Sequence, residues 1–120
     1  MKKKYKNLIQ NAADIIFETD AEGNFIFVNN FTIDHLGYSK EEVIGKPFTD
    51  FVREDYRKSL LEFYNDLAET DKNFASTEFP VIRKDLSEIW GSQKVYVNKN
   101  EAGAVVSYSG IMRDISVFKD

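Results

Sequence analysis

The chain has 120 residues, enough for one domain of ordinary size, with 42% hydrophobic and 14% aromatic residues; a disordered chain lacks that content. Cysteine is absent and histidine occurs once, so no disulfide framework, thiolate nucleophile, zinc cluster or iron–sulfur cluster can be built from it, and a Ser-His-Asp triad would have to use His35. The formal net charge of −4 argues against a general nucleic-acid binder, which is normally basic.

The basic start, Met1-Lys2-Lys3-Lys4-Tyr5-Lys6, is followed by no long apolar run, so it does not read as a secretory signal. No stretch approaches the roughly 18 apolar residues of a membrane span. With the missing cysteines, this points to the cytoplasm. Leu8, Ile9 and Ala12 lie at helical spacing, so residues 1–14 read as an N-terminal helical cap. Ile15–Asp20 and Phe25–Asn29 are β-branched and aromatic runs around a turn with Gly23, which predicts a hairpin. Four successive apolar residues from Phe25 predict a strand covered on both faces.

Asn29 and Asn30 offer N-caps for a short helix through Leu36, with Gly37 at the C-cap position. Ser39 and Glu42 form a capping box for a brief helix before Gly45 and Pro47. Residues 48–53 form a compact turn carrying Phe48, Phe51 and Val52. The clearest helix runs from about Asp55 to Glu69, with Tyr56, Leu60, Phe63, Tyr64 and Leu67 on one face. Three strands follow, Phe74–Arg83, Ile89–Asn98 and Ala104–Ser116, with turns near Lys84–Ser87 and Asn98–Gly103. Two strands, a helical block and three strands predict an α+β fold, an antiparallel sheet with helices on one face.

The segments Asp20-Ala21-Glu22-Gly23, Phe27-Val28-Asn29 and Gly37-Tyr38-Ser39 with Glu42, Val43 and Gly45 resemble the first half of the PAS family. Arg83-Lys84-Asp85 with Trp90 resembles its central hairpin. Gly110-Ile111-Met112-Arg113-Asp114-Ile115-Ser116 resembles its closing strand and Asp-Ile-Thr/Ser signature. Leu86 departs from the pattern, where the family usually has a turn glycine. The resemblance implies a five-stranded antiparallel sheet in the order 2-1-5-4-3, with helices on one face that often enclose a ligand. On this basis residues 15–117 are expected to form the domain and 118–120 to begin a linker.

PAS domains are sensory or dimerisation modules and rarely catalyse reactions, so no catalytic residue is expected. The resemblance implies a sensor module cut from a larger signalling protein, its output domain a histidine kinase or diguanylate cyclase. The alternative is a ligand-free dimerisation or protein-interaction module. A small enzyme is disfavoured, because titratable groups other than His35 do not cluster.

The resemblance also bears on cofactors. In Gly45-Lys46-Pro47-Phe48-Thr49, Phe48 stands where the flavin-binding subfamily has its adduct-forming cysteine, and Thr49 replaces its phosphate-binding arginine. Gly91 and Met112 replace its flavin-contacting asparagine and glutamine. Flavin is disfavoured. So is haem, because the long helix lacks the usual axial histidine. His35 has two readings: a pocket-facing haem ligand, proton sensor or hydrogen-bond donor, or a half-buried histidine bonded to backbone. The second is preferred. No metal is expected; Asp66, Glu69 and Asp71 offer at most a weak surface cluster.

A small unknown ligand would meet Phe31, His35, Phe48, Tyr64, Gln93, Tyr108 and Met112, with Gln93 and Tyr108 as polar groups. Against this, the aromatic side chains and Met112 can fill the interior themselves, and a filled core or only a small cavity is favoured over a large ligand. Val106, Tyr108, Gly110 and Met112 are expected on the inner face of the last strand, and Gly110 leaves room there. Asp114 and Ser116 are expected to relay strain from sheet to linker. Trp90 and Tyr96 are expected on an outer face. With Leu8 and Ile9 they would either be covered by the chain's own N-terminal helix or form a homodimer interface.

Overall fold

The computed structural model describes residues 13–119. The helix expected over residues 8–14, with Leu8 and Ile9, lies almost wholly outside them. Strand β1 (Ile15–Asp20) alternates buried and half-buried side chains, as a strand with one face on the core must. The Asp20 carboxylate closes the following turn by accepting from Glu22 N (3.0 Å) and Asn24 N (2.9 Å). Strand β2 (Phe25–Val28) leads to Asn29, which is wholly buried and caps helix α1 (Asn30–Leu36). Gly37 ends α1 at φ 83°, and its N–H donates to Ile33 O. Helix α2 (Lys40–Val43) starts on the capping box: Ser39 N donates to Glu42 Oε1 (2.9 Å) and Glu42 N to Ser39 Oγ (3.3 Å).

A single 3₁₀ turn, Phe48–Phe51, precedes helix α3 (Glu54–Glu69). Leu60, Tyr64 and Leu67 form its buried face, as the spacing predicts. Strands β3 (Phe74–Ile82), β4 (Glu88–Lys99) and β5 (Val105–Asp114) complete an antiparallel sheet in the order β2-β1-β5-β4-β3. The core lies between one sheet face and the helices. Pro80 sits on edge strand β3, where its missing N–H removes no ladder bond, and its carbonyl accepts from Arg53 N at 3.2 Å.

Three expectations need correction. The β2 strand is not covered on both faces: Ile26 is 50% exposed, because β2 is an edge strand with helices on one side only. Val106 does not face inward but is 54% exposed. The β4–β5 register slips between Asn98 and Lys99, so Ser107 pairs with Asn98 while Val105 pairs with Lys99. That bulge reverses the face of the residues before it. The last strand also ends at Asp114, and Ser116 opens a 3₁₀ turn, Ser116–Phe118.

Leu86, at the turn position where the resemblance puts a glycine, has the left-handed φ of 72° that favours glycine and is 81% exposed. Among the described residues no helix is long and apolar enough to cross a membrane.

Candidate functional site

A cavity of about 50 Å³ lies between the helices and the inner sheet face. Phe17 of β1, Thr32 and Leu36 of α1, Tyr64 of α3, Gln93 of β4 and Met112 of β5 are among its walls, with Phe48 and Phe51. The lining is almost entirely apolar. Gln93, only 2% exposed, supplies a polar edge, and its Nε2 donates weakly to the Tyr64 hydroxyl at 3.4 Å. Burial pushes the Tyr64 phenol far above its ordinary value, against a smaller opposing effect of the Gln93 bond. The group is a neutral donor and acceptor at any physiological pH.

The interior is small because side chains occupy spaces that glycines leave. A Cβ on Gly91 would collide with the Met112 sulfur, and one on Gly110 with the Phe17 ring. A Cβ on Gly23 would come within 2.7 Å of Phe48 Cε1. Phe48 in turn packs on Tyr64 with ring centroids 4.5 Å apart. The room expected beside Gly110 is therefore taken by Phe17, its partner across β1 and β5.

Of the expected ligand contacts, the fold brings Phe48, Tyr64, Gln93 and Met112 to the cavity. Tyr108 is buried on the same side and sets its ring edge against Tyr64 (5.0 Å, 90°), behind the cavity wall. Phe31 and His35 point elsewhere. Their rings stack on one another (4.8 Å, 17°) along the face of α1 next to the one that carries Thr32 and Leu36, with Phe31 half-buried at the edge of the core. The His35 partner is a side chain rather than backbone: its Nε2 lies 2.8 Å from Asp114 Oδ2.

Asp114 is the centre of a second constellation. Its Oδ1 accepts from Ser116 N (2.9 Å) and Ser116 Oγ (2.6 Å). Ser116 Oγ accepts from Trp90 N (2.9 Å), and Ile115 N donates to Trp90 O (2.8 Å). The chain leaving β5 is thus tied to β4 through Asp114 and Ser116, the two residues expected to relay strain. Burial raises the Asp114 pKa, but bonds from Ser116 and the nearby His35 outweigh it and hold the carboxyl below its ordinary value. Arg83, just past β3, completes the group: its Nη2 lies 3.2 Å from His35 Nε2 and 3.8 Å from Asp114 Oδ2. Its buried Nε has no partner.

The outer sheet face carries the apolar patch. Phe74 (45% exposed) and Tyr96 (37%) pair across β3 and β4, and the Lys94 ammonium lies 4.1 Å from the Phe74 ring centroid. Ile111 of β5 adds to the patch. Trp90 contributes less than expected, because its ring meets Tyr56 of α3 edge-on (5.6 Å) and Lys119 lies over it (4.9 Å). Among the described residues no group of three or more acidic, His or Cys side chains is placed to hold a metal ion, and that includes Asp66, Glu69 and Asp71.

Asn29 and Arg83 contact Thr32 of the cavity wall and His35 respectively, although neither is among the expected site residues. Asn29 Oδ1 accepts from Ile16 N (3.1 Å) and Thr32 Oγ1 (2.6 Å), and its Nδ2 donates to Asp14 O (2.8 Å), so one residue ties α1 to β1. Its N-cap role was readable; its long-range bonds were not.

The model of the family described as PAS fold matches residues 3–115. Solved structures agree. The PAS domain of a Colwellia psychrerythraea protein is 24% identical, with a TM-score of 0.86 over 96% of this chain and 97% of that one. A domain of a sensory box sensor histidine kinase/response regulator from Geobacter sulfurreducens is 21% identical, with a TM-score of 0.75 over 92% and 91%. The Drosophila melanogaster Cycle PAS-B domain with bound ethylene glycol is 16% identical, with a TM-score of 0.77 over 84% and 99%. No curated protein sequence matches the chain. Sheet order, helical cover, cavity and family match agree, and the chain belongs to the PAS family of sensory domains.

Proposed function

We propose that this domain senses a small ligand in its core cavity and relays the event through β5 to a covalently linked output domain of the histidine kinase or diguanylate cyclase type, in the cytoplasm. One observation carries the reading. Met112 lines the cavity, and two residues further along β5 Asp114 ties the departing chain to β4. A ligand that moves Met112 or Gln93 therefore acts on strands held directly to that tie. The domain itself performs no chemistry on this reading.

The cavity sets the ligand class. About 50 Å³ admits a water or two, or a molecule of a few heavy atoms. Flavin and haem do not fit while Phe48 and Met112 occupy the interior. For four heavy atoms the most favourable binding energy is about −6 kcal/mol, a Kd of tens of micromolar at best.

The test is a titration of isotopically labelled protein with ethylene glycol and other molecules of two to four heavy atoms, read by amide NMR. The Gln93 side-chain amide and the Ser116 backbone amide should shift together and saturate, and Gln93→Leu should abolish both shifts. A series in which neither resonance saturates would sink the reading.

The outer patch favours a second reading, a homodimer through the sheet face, with the segment carrying Leu8 and Ile9 taking part. Half-exposed Phe74, Tyr96 and Ile111 side by side are unusual on a monomer's surface. On this reading Ile111→Glu halves the mass measured by light scattering at about 50 μM protein, while an unaltered mass removes the patch as an interface.

A further inference from the structure

His35 occupies a position that neither the cavity nor the sheet requires. It is the chain's one histidine, and it spans from α1 to Asp114, 79 residues away in sequence. A carboxylate oxygen can only accept, so the 2.8 Å contact fixes the proton on His35 Nε2. That nitrogen then has no lone pair for Arg83. The Arg83 Nη2 group, 3.2 Å away, faces an N–H rather than an acceptor. The Arg83 Nε is also buried without a partner. The guanidinium has charge partners rather than a well-formed hydrogen bond here: Asp114 at 3.8 Å and the nearby Asp85.

We infer that His35, Asp114 and Arg83 form a proton-operated latch between helix α1 and the chain leaving β5, a second input distinct from ligand in the cavity. Imidazole is the side chain whose ordinary titration falls between about pH 5 and 8. Protonation leaves the Nε2–H bond to Asp114 in place and adds a full charge to it, and a charge-assisted bond is the stronger one. The same charge repels Arg83. Below the transition, α1 is pinned harder to Asp114 and the guanidinium swings toward solvent.

The surroundings give it somewhere to go. Asp34, His35, Arg83, Lys84 and Asp85 line an open cleft of about 380 Å³. Lys84 is turned to Glu42 (2.9 Å) and Asp85 to Ser87 N (2.9 Å). Asp34 and Asp85 offer negative charge to a displaced guanidinium. On the other side of His35 the Phe31 ring stacks on the imidazole and limits its rotation. The adjacent face of α1 carries Thr32 and Leu36 into the cavity wall, so the latch state and the cavity share one helix.

The latch stands whether or not the cavity takes a ligand, and its test uses no ligand. Amide NMR between pH 5 and 8 should show the Ser116 and Trp90 backbone resonances and the Arg83 Nε–H moving together in one transition, absent in His35→Gln. The imidazole Cε1–H of wild type gives the midpoint directly, since no other histidine contributes. Arg83→Gln should move that midpoint to higher pH, and Asp114→Asn to lower pH. Ser116 and Trp90 resonances that stay still, or that move alike in wild type and His35→Gln, overturn the latch. So does a midpoint that Arg83→Gln and Asp114→Asn both leave unchanged, a readout that remains if His35→Gln does not fold.

Discussion

Single residues hold the fold at positions where the backbone has few alternatives. Leu86 adopts φ 72°, a left-handed conformation that costs an L residue about 1–2 kcal/mol. Its side chain is 81% exposed and gives little back through packing. Leu86→Gly removes the strain but adds about 0.5–1 kcal/mol of backbone entropy to the unfolded state. The net outcome is stabilisation by about 0.5–1 kcal/mol, measured by urea unfolding; a loss of stability would mean the leucine has a partner. Asn29 is the opposite case. Its amide is wholly buried and serves Ile16, Thr32 and Asp14 together. Asn29→Ala removes a helix cap and leaves Ile16 N and Asp14 O without this partner, for a loss of about 3 kcal/mol. In a domain of this size that lowers Tm by more than about 10 °C, and calorimetry would show it.

At the scale of elements, the inner face of the sheet works by pairing large side chains with absent ones. Phe17 lies over Gly110, and Met112 over Gly91. Gly110→Ala forces the Phe17 ring off its site and should cost about 1–3 kcal/mol as an overpacked core. Phe17→Leu in the same chain should recover part of that loss, because the two sites are in contact and their effects do not add. Additive losses in a double-mutant cycle would show that Phe17 is not what the new methyl meets. Elements with local signals were legible in the sequence. Asn29 and Gly37 bound α1, Ser39 and Glu42 start α2, and a helical stripe marks α3, all within a few residues of chain. The strand order followed from the resemblance. Contacts that close over long separations were hidden. His35 carries no local sign of Asp114, so it read as facing the pocket or bonded to backbone. Val106 looked inward because alternation was counted through a bulge that only pairing with Lys99 reveals. Phe48, Tyr64, Gln93 and Met112 line the cavity, whereas Phe31 and His35 lie on the face of their short helix next to the one that reaches it.

For the molecule as a whole, acid is the condition to which its electrostatics are most sensitive. Five carboxyls lie below their ordinary values: Asp20, Glu42, Asp55, Asp85 and Asp114. The causes are local. Asp20 accepts from Asn24 N, Asp55 from Arg53, and Asp85 from Ser87. Glu42 is brought to about 2 by Ser39 N–H of the capping box and then by Lys84. An unfolded chain returns these groups to about 3.9–4.3. Between pH 2 and 4.5 the unfolded state therefore binds more protons than the folded one, and stability rises with pH across that window. It is fully present above about pH 5 and lost as pH falls through the folded-state values. Most of these groups are exposed, so about 1 M salt should flatten the rise, while the part due to half-buried Asp114 persists. Urea midpoints measured from pH 2 to 6 should climb to a plateau near pH 5. Glu42→Gln should lower the plateau and reduce the slope between pH 2 and 4.5, and Asp114→Asn should reduce the slope that remains in high salt. A midpoint independent of pH across that window would show that these carboxyls keep their bonds in the unfolded chain or never make them in the folded one.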